Sequence, residues 1–169
     1  MEKNLKGVLN LFMLLSAVVL AAQCAILLTV AGPITLTGLG TISKEMISYF
    51  FAQIMLICAV LILLAILSFR PNQDPDPCKK MSPLLILLVA GSLCCIEGIA
   101  SINLATGIVA GINKSFMITF GIQLFCLGII SIAAFVAAKG HSCLIKHVPN
   151  YYALIFFILL VPAAFLIGN

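Results

Sequence analysis

A chain of 169 residues that is 63% hydrophobic and only 8% charged, with a mean hydropathy of +1.28, has too little polar surface to cover a water-soluble globule. Its formal charge of +4 comes from nine Lys and Arg scattered at the ends of apolar runs, with no basic block or aromatic-rich basic face, so nucleic acid is excluded as a partner. The composition predicts an all-α polytopic transmembrane helical bundle whose solvent, and first partner, is the lipid bilayer.

The first apolar run follows Lys3 and Lys6 and covers Val8 to about Ile34. Leu20-Ala21-Ala22-Gln23-Cys24 has the look of a cleavage or lipobox region, but the run continues unbroken past Cys24 and Gln23 is a poor residue to precede a lipidated cysteine. It is read as a span. Further runs cover Ile47 to Phe69, Leu84 to Ile112, Phe116 to Ala138 and Tyr151 to Ile167. At 1.5 Å per residue the first four cross a bilayer easily, whereas the fifth, with about 17 residues and Pro162, only just does.

These runs predict one membrane domain over residues 1–169. It is made of a hairpin at 8–69, a Pro-rich linker at 70–83, a second hairpin at 84–138, a loop at 139–150 and a fifth helix at 151–167. Lys3, Lys6, Arg70, Lys79, Lys80, Lys139 and Lys146 fall on one side of this arrangement, and only Lys44 and Lys114 on the other. The bias predicts the N-terminus in the cytoplasm or its equivalent and the C-terminus opposite. Thr37 to Glu45 and Asn113 to Ser115 read as tight turns, and Pro71, Pro75 and Pro77 hold the linker extended.

A shift of 70 residues places Ile42, Lys44, Phe50, Gln53 and Ile62 on Ile112, Lys114, Phe120, Gln123 and Ile132. This weak parallel repeat relates the two hairpins by an axis along the membrane normal, with the fifth helix an addition. The pattern resembles the rotor-ring proteolipids of membrane ATPases, with Phe51-Ala52-Gln53-Ile54 where their carboxylate-bearing segment sits. Gln53 and Gln123 stand at the acidic positions, however, and the basic bias implies the opposite topology. The chain is therefore not placed in that family.

Glu97 is the one ionisable residue near the middle of a span. Measured from the expected inner boundary, Gln23, Gln53, Glu97 and Gln123 lie roughly 21–24 Å up their helices, which predicts one inward-facing polar layer. Without a Lys, Arg or His inside any span, Glu97 is expected to be protonated and donating to a Gln oxygen, or to hold a cation. The other readings are interhelical glue and a contact to a basic residue of another subunit. Gly91, Cys94, Gly98, Ser101 and Ala105 form a small-residue stripe for close helix packing, within the chain or between subunits. The first and third spans carry more small residues, so they are expected inside, with the second and fourth outside.

Seven cysteines suggest no disulfide framework, and Cys78 and Cys143 are expected as free thiols on the cytoplasmic side, open to acylation. His141, Cys143, His147 and Cys78 match no metal motif strongly, so no metal site is expected. Asn113-Lys114-Ser115 is a glycosylation sequon too close to the membrane for modification. No hydrolase, zincin, nucleotide-binding or phosphotransfer signature is present, so the expectation is a protein without catalytic residues or cofactors. Two functions remain. The first expectation is a structural or accessory subunit of a larger membrane complex, partnered by other subunits or by its own copies. The alternative is a small ion- or proton-coupled channel or transporter using the Glu97 layer.

Overall fold

The computed structural model describes residues 2–30, 32–36, 40–68, 78, 81–105, 108–109, 113–140 and 142–143. The expected fifth helix at 151–167 lies outside them. Four helices run through the described residues: α1 (Glu2–Val30), α2 (Lys44–Ser68), α3 (Met81–Leu104) and α4 (Lys114–Ala137). All four are long and apolar enough to cross a membrane.

Local chemistry sets their ends. Gly32-Pro33 follows α1, where proline cannot continue the helical ladder. At α2, the Met46 amide donates to the Ser43 hydroxyl oxygen at 3.4 Å, beside Glu45 in the first turn. Pro83 stands in the first turn of α3, where its missing N–H costs little. Asn113 caps α4, its side-chain oxygen accepting from the Ser115 amide at 2.9 Å. Lys139 then closes α4 with a positive φ of 59°, the left-handed conformation common just after a helix.

Packing follows a seven-residue pattern in every helix. The buried positions alternate at spacings of three and four: Met13, Ala17, Leu20, Cys24 and Leu27 in α1, and Ile47, Phe51, Ile54, Cys58, Leu61 and Ala65 in α2. The same alternation gives Leu87, Ala90, Cys94, Glu97 and Ser101 in α3, and Met117, Phe120, Leu124, Leu127, Ser131 and Ala134 in α4. Such stripes build an up-down four-helix bundle with one central core. The α3·α4 contact is the most extensive, α1 packs on both α2 and α4, and the α2·α3 contact is the sparsest between neighbouring helices. All four helices contribute to the core, α1 least, so the expected division into inner odd and outer even helices does not hold. The reason is that the even helices also carry regular stripes, which their bulkier residues masked. Phe51 and Phe120 meet across the core edge-on, with ring centroids 6.0 Å apart. The outward faces are apolar, most evidently on α1, where Leu5, Leu11, Phe12, Leu15 and Ile26 are exposed.

At one end the connections between the helices form a small sheet, and Asn113 to Ser115 forms the turn into α4. Strand β1 (Ile34–Leu36) pairs antiparallel with β2 (Gly40–Ile42) and also with β3 (Ile108–Val109), giving the order β2-β1-β3. The connection of one hairpin therefore supplies two strands and that of the other supplies the third. This shortens α3 relative to the apolar run, since the run continues to Ile112 while the helix stops at Leu104. Glu97 consequently lies seven residues from the end of α3, about two turns, rather than at half depth.

The closest approach in the bundle is made by four glycines. A Cβ on Gly98 would stand 2.7 Å from the Gly121 carbonyl oxygen and the Phe125 amide nitrogen, and one on Gly128 would stand 2.6 Å from the Gly91 carbonyl oxygen. Backbone cannot step aside as a side chain can, so any substitution pushes α3 and α4 apart. Gly98→Ala is expected to lower stability by about 2 kcal/mol, read as a lower melting temperature in detergent. Gly7→Ala, where nothing lies within 4 Å, should show no loss.

Candidate functional site

Glu97 occupies a core position of α3 and is 3% exposed. Among the described residues, neither carboxylate oxygen has a hydrogen-bond partner. Its surroundings come from three helices. The thiols of Cys24 on α1, Cys58 on α2 and Cys94 on α3 lie close enough to interact electrostatically with it, but none bonds to it. The seven-residue pattern makes this layer, since Cys24, Cys58 and Cys94 are all core positions beside the level of Glu97. Cys24 and Cys58 were missed as members of the site, although a reading of the heptads would have found them.

The three glutamines fall elsewhere. Gln23, Gln53 and Gln123 are half-buried at the edges of their helices' core stripes rather than within them. The side-chain oxygens of Gln23 and Gln123 are buried without partners, so no amide bonds to the Glu97 carboxyl. The expected polar layer is thus corrected to one central carboxyl with amides on the flanks. Equal depth along a helix does not imply equal facing, because each residue turns the side chain by about 100°. Gln123 lies on the flank of α4 opposite Gly121 and Gly128, which face α3.

Ser101 is fully buried one turn from Glu97, but its hydroxyl donates to the Glu97 backbone carbonyl at 2.8 Å and not to the carboxylate. Ser131 likewise donates to the Leu127 carbonyl at 2.9 Å. These hydroxyls are satisfied within their own helices and leave Glu97 without a donor.

The small-residue stripe is used inside the chain. Gly91 and Gly98 face Gly128 and Gly121, and Cys95, on the same side, approaches the Phe125 carbonyl with its sulfur at 3.8 Å. Cys94 and Ser101 turn to the core, and Ala105 is buried just beyond the helix end. The matching glycines of α4 were overlooked because bulky neighbours hide them, yet Gly121 and Gly128 stand seven residues apart, as Gly91 and Gly98 do.

At the opposite end from the sheet, Cys78 and Cys143, 65 positions apart in sequence, form a disulfide with Cα atoms 5.3 Å apart. This corrects the expectation of free thiols and of no framework, and it removes both residues as acylation sites or zinc ligands. Sequence spacing cannot show which loops meet. The bond packs with Leu85 and Val89 of α3. His147 lies outside the described residues, as does the structure around His141. Among the described residues no three His, Cys, Asp or Glu converge to hold a metal ion.

Comparison with protein-family models, with curated proteins and with solved structures finds no match. The reading of the site therefore rests on its own chemistry. Thiol titration checks the disulfide: the purified, denatured protein should react with a maleimide at five cysteines, rising to seven after reduction.

Proposed function

We propose that this chain is a multi-pass integral membrane protein acting as a small ion- or proton-coupled channel or transporter, with Glu97 as the group that holds the ion. The observation that carries the reading is a carboxyl enclosed by its own bundle with both oxygens unpartnered by protein. A carboxylate withdrawn from water is costly unless it is neutralised, and such a residue inside an apolar span marks an ion or proton site by default. Interhelical glue requires a hydrogen bond across helices, and none reaches Glu97 from the described residues. A salt bridge to another subunit requires exposure, which Glu97 lacks.

The parallel repeat belongs to this proposal and is supported by the starts of α2 and α4, 70 residues apart at Lys44 and Lys114. Orientation in the proposal follows the basic residues, with the N-terminal end in the cytoplasm. The Cys78–Cys143 bond then faces a reducing compartment and forms only on oxidation. No enzymatic step is part of the reading.

The second reading is the structural or accessory subunit, supported by the compact connections and by the apolar outer face of α1, broad enough for another helix. Two of its original supports are now used within the chain, the glycine stripe against α4 and the carboxyl in the core. Reconstitution into liposomes separates the two readings. The transport reading expects ion flux that Glu97→Gln reduces to the level of protein-free liposomes while helicity and melting are retained. Absence of flux in the unaltered chain, together with a stoichiometric complex with other polypeptides in native mass spectrometry, would replace it with the subunit reading.

A further inference from the structure

We infer that the ion held at Glu97 is a proton rather than a metal cation, and that it reaches Glu97 from the sheet end of the bundle through Ser101. The inference rests on the transport reading above and names what that site takes.

The first argument is ligand number. A hard cation stripped of water takes about six to eight oxygen ligands. A site in a dry core must supply them from protein. The core layer around Glu97 offers its own two oxygens and the three thiols of Cys24, Cys58 and Cys94. The unpartnered oxygens of Gln23 and Gln123 belong to half-buried side chains on the flanks. Thiols suit soft metals, but no three of these groups converge as ligands. A proton needs only one acceptor, and Glu97 has two.

The second argument is distance and lining. From Glu97 to the end of α3 at Leu104 is seven residues, about 11 Å, whereas the start at Met81 is sixteen residues away, about 24 Å. On the short side the next core residue of α3 is Ser101, whose hydroxyl keeps acceptor capacity while donating to the Glu97 backbone carbonyl. On the long side the core positions of α3 are Cys94, Ala90 and Leu87, which present no oxygen, and the buried hydroxyl of Ser131 on α4 stands at the level of Gly91, six residues along α3 from Glu97 against four for Ser101. Of the helices packed on this layer, α1 presents Cys24, α2 presents Cys58 and α3 itself Cys94, while the α4 core there holds Phe120, Leu124 and Leu127. No cation faces Glu97 from the described residues. In the step a hydronium ion at the sheet end gives one proton to the Ser101 oxygen, while the Ser101 O–H turns from the Glu97 backbone carbonyl and passes its own proton to the Glu97 carboxylate, leaving water and a neutral hydroxyl; release reverses these changes.

The test combines infrared difference spectroscopy with flux in liposomes. The carbonyl stretch of a protonated carboxylic acid, absent in Glu97→Gln, should respond to pH and stay unchanged when sodium or potassium replaces choline at constant pH. Proton flux reported by an entrapped pH dye should persist in choline buffer, vanish in Glu97→Gln and slow in Ser101→Ala, with the infrared end states unaltered. Loss of the acid band on adding sodium or potassium, or flux that requires either ion, would overturn the proton assignment and leave the transport reading standing. A band that follows pH normally with unchanged rates in Ser101→Ala would overturn the route. Absence of any flux would overturn the transport reading itself.

Discussion

The close approach of α3 and α4 is the contact on which the other features depend. Because Gly91 and Gly98 meet Gly128 and Gly121 through backbone atoms, the two helices have one register and one facing. That facing turns the Cys94–Glu97–Ser101 edge of α3 away from α4 and toward the centre, where α1 and α2 close over it. With a bulkier residue at Gly98, α3 would have to move away from α4, and Glu97 would no longer be held in the core by the same geometry. An unpartnered carboxyl is thus positioned by packing on the adjacent flank of its own helix, without any hydrogen bond aimed at it.

This arrangement explains how an unfavourable group is retained. The core layers above and below Glu97 are well filled, with Phe51, Phe120, Leu20 and Leu124 all essentially inaccessible. The burial of those side chains is a favourable term distributed over the whole bundle, whereas the desolvation of Glu97 is a single local cost. A bundle with regular stripes on all four helices can carry one such exception. Functional groups in helical bundles are commonly built this way, from side chains projecting into a core that is otherwise complete.

Much of the architecture was legible in the amino-acid order. The four spans appear as long apolar runs, and their ends follow from Gly32-Pro33, Ser43, Pro83 and Asn113, each a residue with a specific backbone consequence. Glu97 was legible as a candidate too, because an acidic residue in an apolar run stands out against its background. What was not legible depends on which distant segments meet. Ile34–Leu36 and Ile108–Val109 are too short to announce themselves as strands, and they pair only because the bundle brings both connections to one end. The partnership of Cys78 with Cys143 is likewise a result of folding. The glutamines were misplaced by angle, since depth arithmetic ignores the direction in which a side chain points.

The strands and the disulfide lie at opposite ends of the bundle, and each joins parts of the chain that the helices alone would leave separate. The β1–β3 pairing ties the α1–α2 connection to the α3–α4 connection, and the Cys78–Cys143 bond ties the segment between hairpins to the segment after α4. A pair of hairpins hinged at one end could swing open like a book. While the disulfide is formed both ends are fastened and that swing is blocked, and the motions left are twisting about the long axis and changes of side-chain rotamer along the α2–α3 seam, the sparsest of the contacts between neighbouring helices. A cage held in this way keeps a nearly constant outline and opens its core only by small local movements.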